Sequence, residues 1–135
     1  MGKIISIVNQ KGGVGKTTSC INLIAALGKL GKKCLLVDID SQGNSTSGLG
    51  INKREVKHST YDLLINDVRC STAIVKTQFE NVDILPSSID LAAADIELAR
   101  GKSAFFALKE DLFSFLSRVF SSRLVLISTL SNFSL

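Results

Sequence analysis

The stretch NQKGGVGKTT, residues 9–18, decides how the chain is read. Its end, Gly15-Lys16-Thr17, closes the pattern G-x-x-x-x-G-K-[ST], a loop whose backbone N–H groups circle a phosphate. Its beginning breaks that pattern. Gln10 stands where the first glycine belongs, and an additional lysine, Lys11, follows it. Gly12, Gly13 and Gly15 still keep side chains away from an anion. The flanks are those a phosphate loop needs. Ile4–Val8 is a β-branched run that reads as a buried strand, and Thr17–Leu30 reads as a helix with Ile21, Ile24, Leu27 and Leu30 on one face. Such a helix aims the positive end of its dipole at the same anion. Lys16 then supplies a point charge for the β- and γ-phosphates, Thr17 a hydroxyl ligand for Mg²⁺, and Thr18 a donor to the α-phosphate. A glycine-rich turn carrying GKT by chance has no reason to sit between a strand and a helix.

Beyond the helix, Gly31 suits a C-terminal cap, and Lys29, Lys32 and Lys33 suit the negative end of the helix dipole. Cys34–Val37 is a second apolar run, ending at Asp38. Strand, loop, helix and strand in this order, with near-continuous apolar strands, predict an α/β fold: a mostly parallel sheet flanked by helices and joined by a right-handed crossover. Asp38 and Asp40 fall at the carboxyl end of the second strand, where open α/β sheets place their ligand chemistry. A carboxylate there can hold Mg²⁺ through water or orient a water on a γ-phosphate; a strand-end Asp opening a turn is the plainer alternative. Residues 41–50, SQGNSTSGLG, read as a polar loop. Thr60 is a candidate cap for a short helix, Tyr61–Ile65. Val82–Leu85 reads as a third strand stopped by Pro86, followed by a helix through Ile89, Leu91, Ile96 and Leu98. Residues 104–120 read as helical, and Leu124–Ser128 as a fourth strand without a carboxylate.

Composition narrows the function classes. The 135 residues, 45% of them hydrophobic, fit one small globular domain. The net charge of +4 is concentrated: residues 1–50 carry six Lys against Asp38 and Asp40, while residues 51–135 balance ten basic against ten acidic side chains. Excess charge around one loop suits a polyphosphate, whereas a nucleic-acid surface needs a longer basic stripe. Cys20, Cys34 and Cys70 are scattered and odd in number, which argues against a disulfide framework or a zinc site and for three small buried hydrophobes. His58 has no partner in the sequence for metal or nucleophilic chemistry and reads as a surface residue. No leader or membrane-spanning run is evident, so a cytoplasmic location is expected.

Lys11 makes sense through a resemblance. KGGVGKTT resembles the deviant Walker A motif, K-G-G-x-x-K-[ST], of the ParA/Soj/MinD class of P-loop ATPases, in which the additional lysine is a signature. LLVDIDSQGNSTSGLG (35–50), STYDLL (59–64) and VDILPSSIDLAAADIEL (82–98) are similar to the chromosome- and plasmid-partitioning branch. The resemblance implies a P-loop NTPase-like fold that binds ATP and Mg²⁺ through Gly12, Gly13, Val14, Gly15, Lys16, Thr17 and Thr18. It implies Thr17 and Asp38 on the metal side, Asp40 orienting the attacking water, and Lys11 reaching the phosphates of a second copy in an ATP-bound homodimer. It also implies a ParB-type stimulatory partner, non-specific DNA binding and association with the nucleoid.

The resemblance covers residues 2 to about 100 and then fades. Six of the seven Phe lie from Phe105 onward, and no acid follows Asp111. The family's Walker B strand ends in Asp; here Ser128 follows the apolar run. The expectation is therefore an N-terminal part of a ParA-type domain at 1–100 and a divergent tail at 101–135, truncated or frame-shifted, with the family's later strands and basic DNA surface absent. Reading the encoding DNA in its other frames tests this. Two functions stand at this stage: an ATPase of DNA partition, and a nucleotide-binding module or fragment without turnover. A helical apolar stripe, Phe113, Leu116, Val119 and Phe120, adds a weaker membrane-surface reading, since only Arg118 and Arg123 flank it.

Overall fold

The computed structural model describes residues 2–9, 15–66, 68–93, 114 and 123–130. Five strands form one sheet: β1 (Lys3–Asn9), β2 (Cys34–Ile39), β3 (Val75–Lys76), β4 (Val82–Leu85) and β5 (Leu124–Leu130), in the order β1-β5-β2-β4-β3. All neighbours are parallel except the short β3, which pairs antiparallel with β4. Among the described residues four helices are interspersed: α1 (Lys16–Lys29), α2 (Asn44–Gly48), α3 (Thr60–Ile65) and α4 (Cys70–Ala73). A mostly parallel α/β sheet is what the apolar runs predict. Lys11, Gly12, Gly13 and Val14 lie outside the described residues, as do the membrane-surface stripe and nearly all of 104–120.

Alternation along each strand sends successive side chains to opposite faces, and each face has its own cover. On one face Leu35, Val37, Leu85, Val125 and Ile127 pack with Cys70 and Ala73. On the other Cys34, Leu36, Val82, Ile84 and Leu126 pack with Cys20 and Ile24 of α1 and with Leu49. All three cysteines are buried free thiols, as small hydrophobes should be. One rung shows how depth varies across the sheet. Ile5, Leu126, Leu36 and Ile84 stand side by side in the register. The last three have no exposed surface, each contributing about 1.5–3 kcal/mol by burial. Ile5 keeps 38% of its surface in solvent, and Val8 keeps 46%. The first apolar run is thus a strand, but among the described residues an edge strand and not a buried one: β5 is the one described strand paired with it.

Helix α1 ends where the lysines and Gly31 place it. The Lys32 amide donates to the Leu27 carbonyl at 3.0 Å and the Gly31 amide to the Gly28 carbonyl at 2.9 Å, with Gly31 at φ 76°. These two bonds close a Schellman cap. Gly28 does a second job. A Cβ there would press into the Glu80 carbonyl oxygen and lie 2.7 Å from Val82 Cγ2. The helix can approach β4 only because position 28 has no side chain. Gly28→Ala is expected to destabilise the fold by about 1–3 kcal/mol, the usual cost of overpacking, despite the gain in helix propensity. Urea denaturation checks it; an unchanged midpoint would contradict the close approach.

Three local features escape the apolar periodicity. Residues 44–48 of the polar loop form α2. Helix α3 begins one residue early: Ser59 is the cap, its hydroxyl and Asp62 forming a capping box, and Thr60 is the first helical residue. Strand β3 is only two residues long.

Candidate nucleotide site

Parallel strands bring their carboxyl ends to one rim, and of the predicted residues Gly15, Lys16, Thr17, Asp38 and Asp40 lie along it. Gly15 caps α1 with φ 87°, a left-handed conformation that costs glycine little, and its carbonyl accepts the Ser19 amide at 2.8 Å. No acidic residue occupies the first turn of α1, so its positive end is unopposed by any carboxylate of that turn. Lys16 and Thr17 are half-buried at this turn and Thr18 is exposed. The Thr18 carbonyl accepts Asn22 Nδ2 at 2.8 Å.

Asp38 is the penultimate residue of β2 and is fully buried. Oδ2 accepts both the amide and the hydroxyl of Thr46, at 2.8 and 2.7 Å, and Oδ1 accepts the Asp40 amide at 3.2 Å. Burial pushes its carboxyl up to about 6, against the bonds from Thr46 and Asp40, which favour the charged form, while the Asp40 charge adds to the rise. The Thr46 bonds also explain α2. Gly43 caps that helix without a side chain, and Asp38, eight residues upstream, satisfies an amide of its first turn. Asp40 lies just past the end of β2, as its position predicts, and its Oδ1 accepts the Gln42 amide at 2.9 Å.

Ser128 stands beside Asp38 in the β2–β5 register. It is buried, and its Oγ accepts the Ser45 hydroxyl at 3.2 Å. Cys20 of α1 reaches the same spot. Its thiol is pushed up by burial, lowered by a hydrogen bond with Ser128, raised by the Asp38 charge and lowered by that of Lys16. Helix start, strand-end carboxylates and Ser128 therefore converge on one region behind the Gly15–Thr17 turn. Ser45, Thr46 and Ser87 belong to this region, and a reading from sequence treats them as loop filler. The available signal was the spacing of a strand-end Asp ahead of a Ser/Thr-rich run. His58 stays outside the site, half-buried near Asp62. At the opposite end of the strands a cleft of about 350 Å³ is lined by Lys33, Lys76, Asp83 and Arg123. Asp83 pairs there with Lys76 and Arg123, at 2.9 and 3.0 Å. Among the described residues no cluster of three metal-ligating side chains occurs and no helix is long and apolar enough to cross a membrane.

A glycine-capped helix start facing strand-end carboxylates across a parallel sheet is the arrangement of the phosphate-loop α/β proteins. Comparison with known proteins places the chain within that class. The family described as an AAA domain matches residues 2–120. The sporulation initiation inhibitor protein Soj of Bacillus subtilis is 54% identical over 112 residues, 83% of this chain and 44% of that protein. The chromosome partitioning protein ParA of Caulobacter vibrioides is 40% identical over 110 residues, 82% of this chain and 41% of that one. The solved structure of cobyrinic acid a,c-diamide synthase from Mycobacterium smegmatis, with bound ADP and magnesium, superposes with a TM-score of 0.84 at 35% identity, over 96% of this chain and 51% of that one. The chain belongs to the AAA-domain family and is similar to Soj and ParA. It spans less than half the length of the two curated relatives.

Proposed function

We propose that the chain binds Mg-ATP at the turn that opens α1, and that its activity in the assembled protein is ATP hydrolysis in chromosome or plasmid partition. The observation that carries this is the pairing of the Gly15-Lys16-Thr17 helix start, free of acid in its first turn, with Asp38 and Asp40 at the adjoining strand end. The residues fit the ligand: an anion meets backbone amides and a lysine, and a divalent cation meets a hydroxyl and carboxylates. When bound, Mg²⁺ supplies charge neutralisation between the phosphates. Lys16 binds the terminal phosphates, Thr17 Oγ faces the cation, and Asp40 orients water. Gly12, Gly13 and Val14 complete the loop, and Lys11 contributes its charge to the nucleotide of a second copy. A ParB-type protein, non-specific DNA and a cytoplasmic, nucleoid-associated location belong to the same proposal, supported by the likeness to Soj and ParA.

A second reading is favoured by one observation. Ser128 stands beside Asp38, two residues before the end of β5, so this strand offers a hydroxyl there and not a carboxylate. The chain then holds nucleotide without turning it over. A thermal melt with and without Mg-ATP tests the common core of both readings. Ligand at about a hundredfold excess over Kd stabilises the folded state by about 2.7 kcal/mol. A cooperative melt that does not move would sink nucleotide binding altogether. Phosphate release then separates turnover from binding alone.

A further inference from the structure

Thr46 has no exposed surface, yet three hydrogen bonds converge on it. Its amide and hydroxyl both donate to Asp38 Oδ2, and its hydroxyl oxygen accepts the Ser87 amide at 3.0 Å. The two groups it holds are the two that grip Asp40. Asp38 Oδ1 takes the Asp40 amide at 3.2 Å, and Ser87 Oγ donates to the Asp40 carbonyl. The Gly43 amide donates to that same carbonyl at 2.8 Å. Asp40 is therefore clamped at both ends of its residue, from β2 on one side and from the segment after β4 on the other. Its own carboxylate is engaged only through Oδ1, by the Gln42 amide, among the described residues. The backbone is fixed and one carboxylate oxygen remains available for chemistry at the rim.

We infer that Thr46 is a positioning residue for Asp40: its hydroxyl locks Asp38 and Ser87 together, and these two set where the Asp40 carboxylate stands. Asp38 then acts also as a bracket, its oxygens engaged by three donors, and Asp40 is the carboxylate whose place it sets. A hydroxyl is required because one group must donate to a carboxylate and accept from an amide at once. Valine has the shape of threonine and can do neither. Serine can do both. The consequence for hydrolysis rests on the Mg-ATP reading above; the geometry does not.

The test compares Thr46→Val with Thr46→Ser. In the nucleotide-free chain, NMR follows the Asp40 amide and side-chain carboxyl. Thr46→Val should move both resonances and speed exchange of the Asp40 amide by about tenfold or more, and Thr46→Ser should leave them near the wild-type values. A folded Thr46→Val variant with unmoved Asp40 signals overturns the inference. So does a Thr46→Ser variant whose Asp40 signals depart clearly from the wild-type values, a comparison that survives even if the valine variant fails to fold. Where the wild-type chain turns over ATP, Thr46→Val should lower kcat by about tenfold to a hundredfold, the cost of a misplaced group. KM should stay within about twofold, and serine should restore the rate. A raised KM with kcat unchanged counts against positioning. Failure of the wild-type chain to bind Mg-ATP overturns the nucleotide reading alone, and the Asp40 resonances still decide the role of Thr46.

Discussion

Lys16→Ala is expected to weaken Mg-ATP binding by about a hundredfold, the factor that about 2.7 kcal/mol represents. Charge-assisted hydrogen bonds contribute about 1.5–3 kcal/mol each, and Lys16 is the side chain at the helix start able to place a full positive charge on the terminal phosphates. Lys11→Ala should behave differently. If Lys11 acts on the nucleotide of a second copy, a single chain loses nothing by its removal. Its Kd should stay within about threefold of the wild-type value, and only turnover that depends on association should fall. Titration of a fluorescent ATP analogue at low chain concentration reads both. The melting point without nucleotide is the control, because Lys16 is half-buried and takes part in interactions within the fold. Equal losses of affinity in the two variants would contradict the division of roles between the lysines.

What was legible in the sequence follows from how each feature is encoded. The order strand, phosphate loop, helix, strand is written in local periodicity, and α1 and β2 fall within two residues of the expected limits at each end. The stop at Pro86 and the cap at Gly31 are equally local. Sheet order is not. Nothing between residues 2 and 40 says that the strand at 124–130 lies between the first two, because those pairings join residues 121 and 90 positions apart, as in Lys3 with Leu124 and Cys34 with Leu124. The mistaken burial of β1 has the same origin: a β-branched run looks alike whether it has one neighbour or two. Helix α2 was hidden for another reason. Asn44–Gly48 is poor in helix formers, and its first-turn amide is satisfied by Asp38 from a different element. The functional carboxylates were visible as a pair, but their different environments were not. Both are buried; how each is held depends on Thr46 and Ser87, and the latter arrives from the segment after the neighbouring strand β4.

The position on β5 where composition and site collide is Ser128. A hydroxyl there accepts from Ser45, so it is integrated into the packing behind α1. The negative charge at this rim thus comes from β2 and the turn after it. Asp38 and Asp40 are the two carboxylates the described site contains, and one of them is held without solvent. That concentrates both the electrostatic cost and the chemistry of the site on a three-residue segment.

The cost should be measurable as a pH dependence. Asp38 is pushed from 3.8 up to about 6, first by burial and further by the Asp40 charge, with the Thr46 and Asp40 hydrogen bonds opposing the rise. The folded value lies above the unfolded one, so between them the folded chain holds a proton that the unfolded chain has released. The stabilisation associated with that proton is complete below pH 3.8 and is lost as pH rises through about 6. A difference of roughly two pKa units corresponds to about 3 kcal/mol, as an order of magnitude. Asp38→Asn cannot titrate. Relative to wild type, its unfolding free energy should therefore rise by about 3 kcal/mol between acid and neutral pH, whatever its offset at low pH. That offset should be unfavourable if the new amide group must turn its NH₂ toward the Asp40 amide, which already points at Oδ1 as a donor. Urea denaturation of both chains from pH 4.5 to 7.5 reads about 2 kcal/mol of this rise, the part lying above pH 4.5, and titrations common to both chains cancel in it. A difference that stays flat across the range would mean that Asp38 pays no burial penalty at neutral pH, and that its three donors hold the ionised form as well as water does. A rising difference would identify the ionised Asp38 as a charge the fold retains at a cost in stability, at the position from which Asp40 is held.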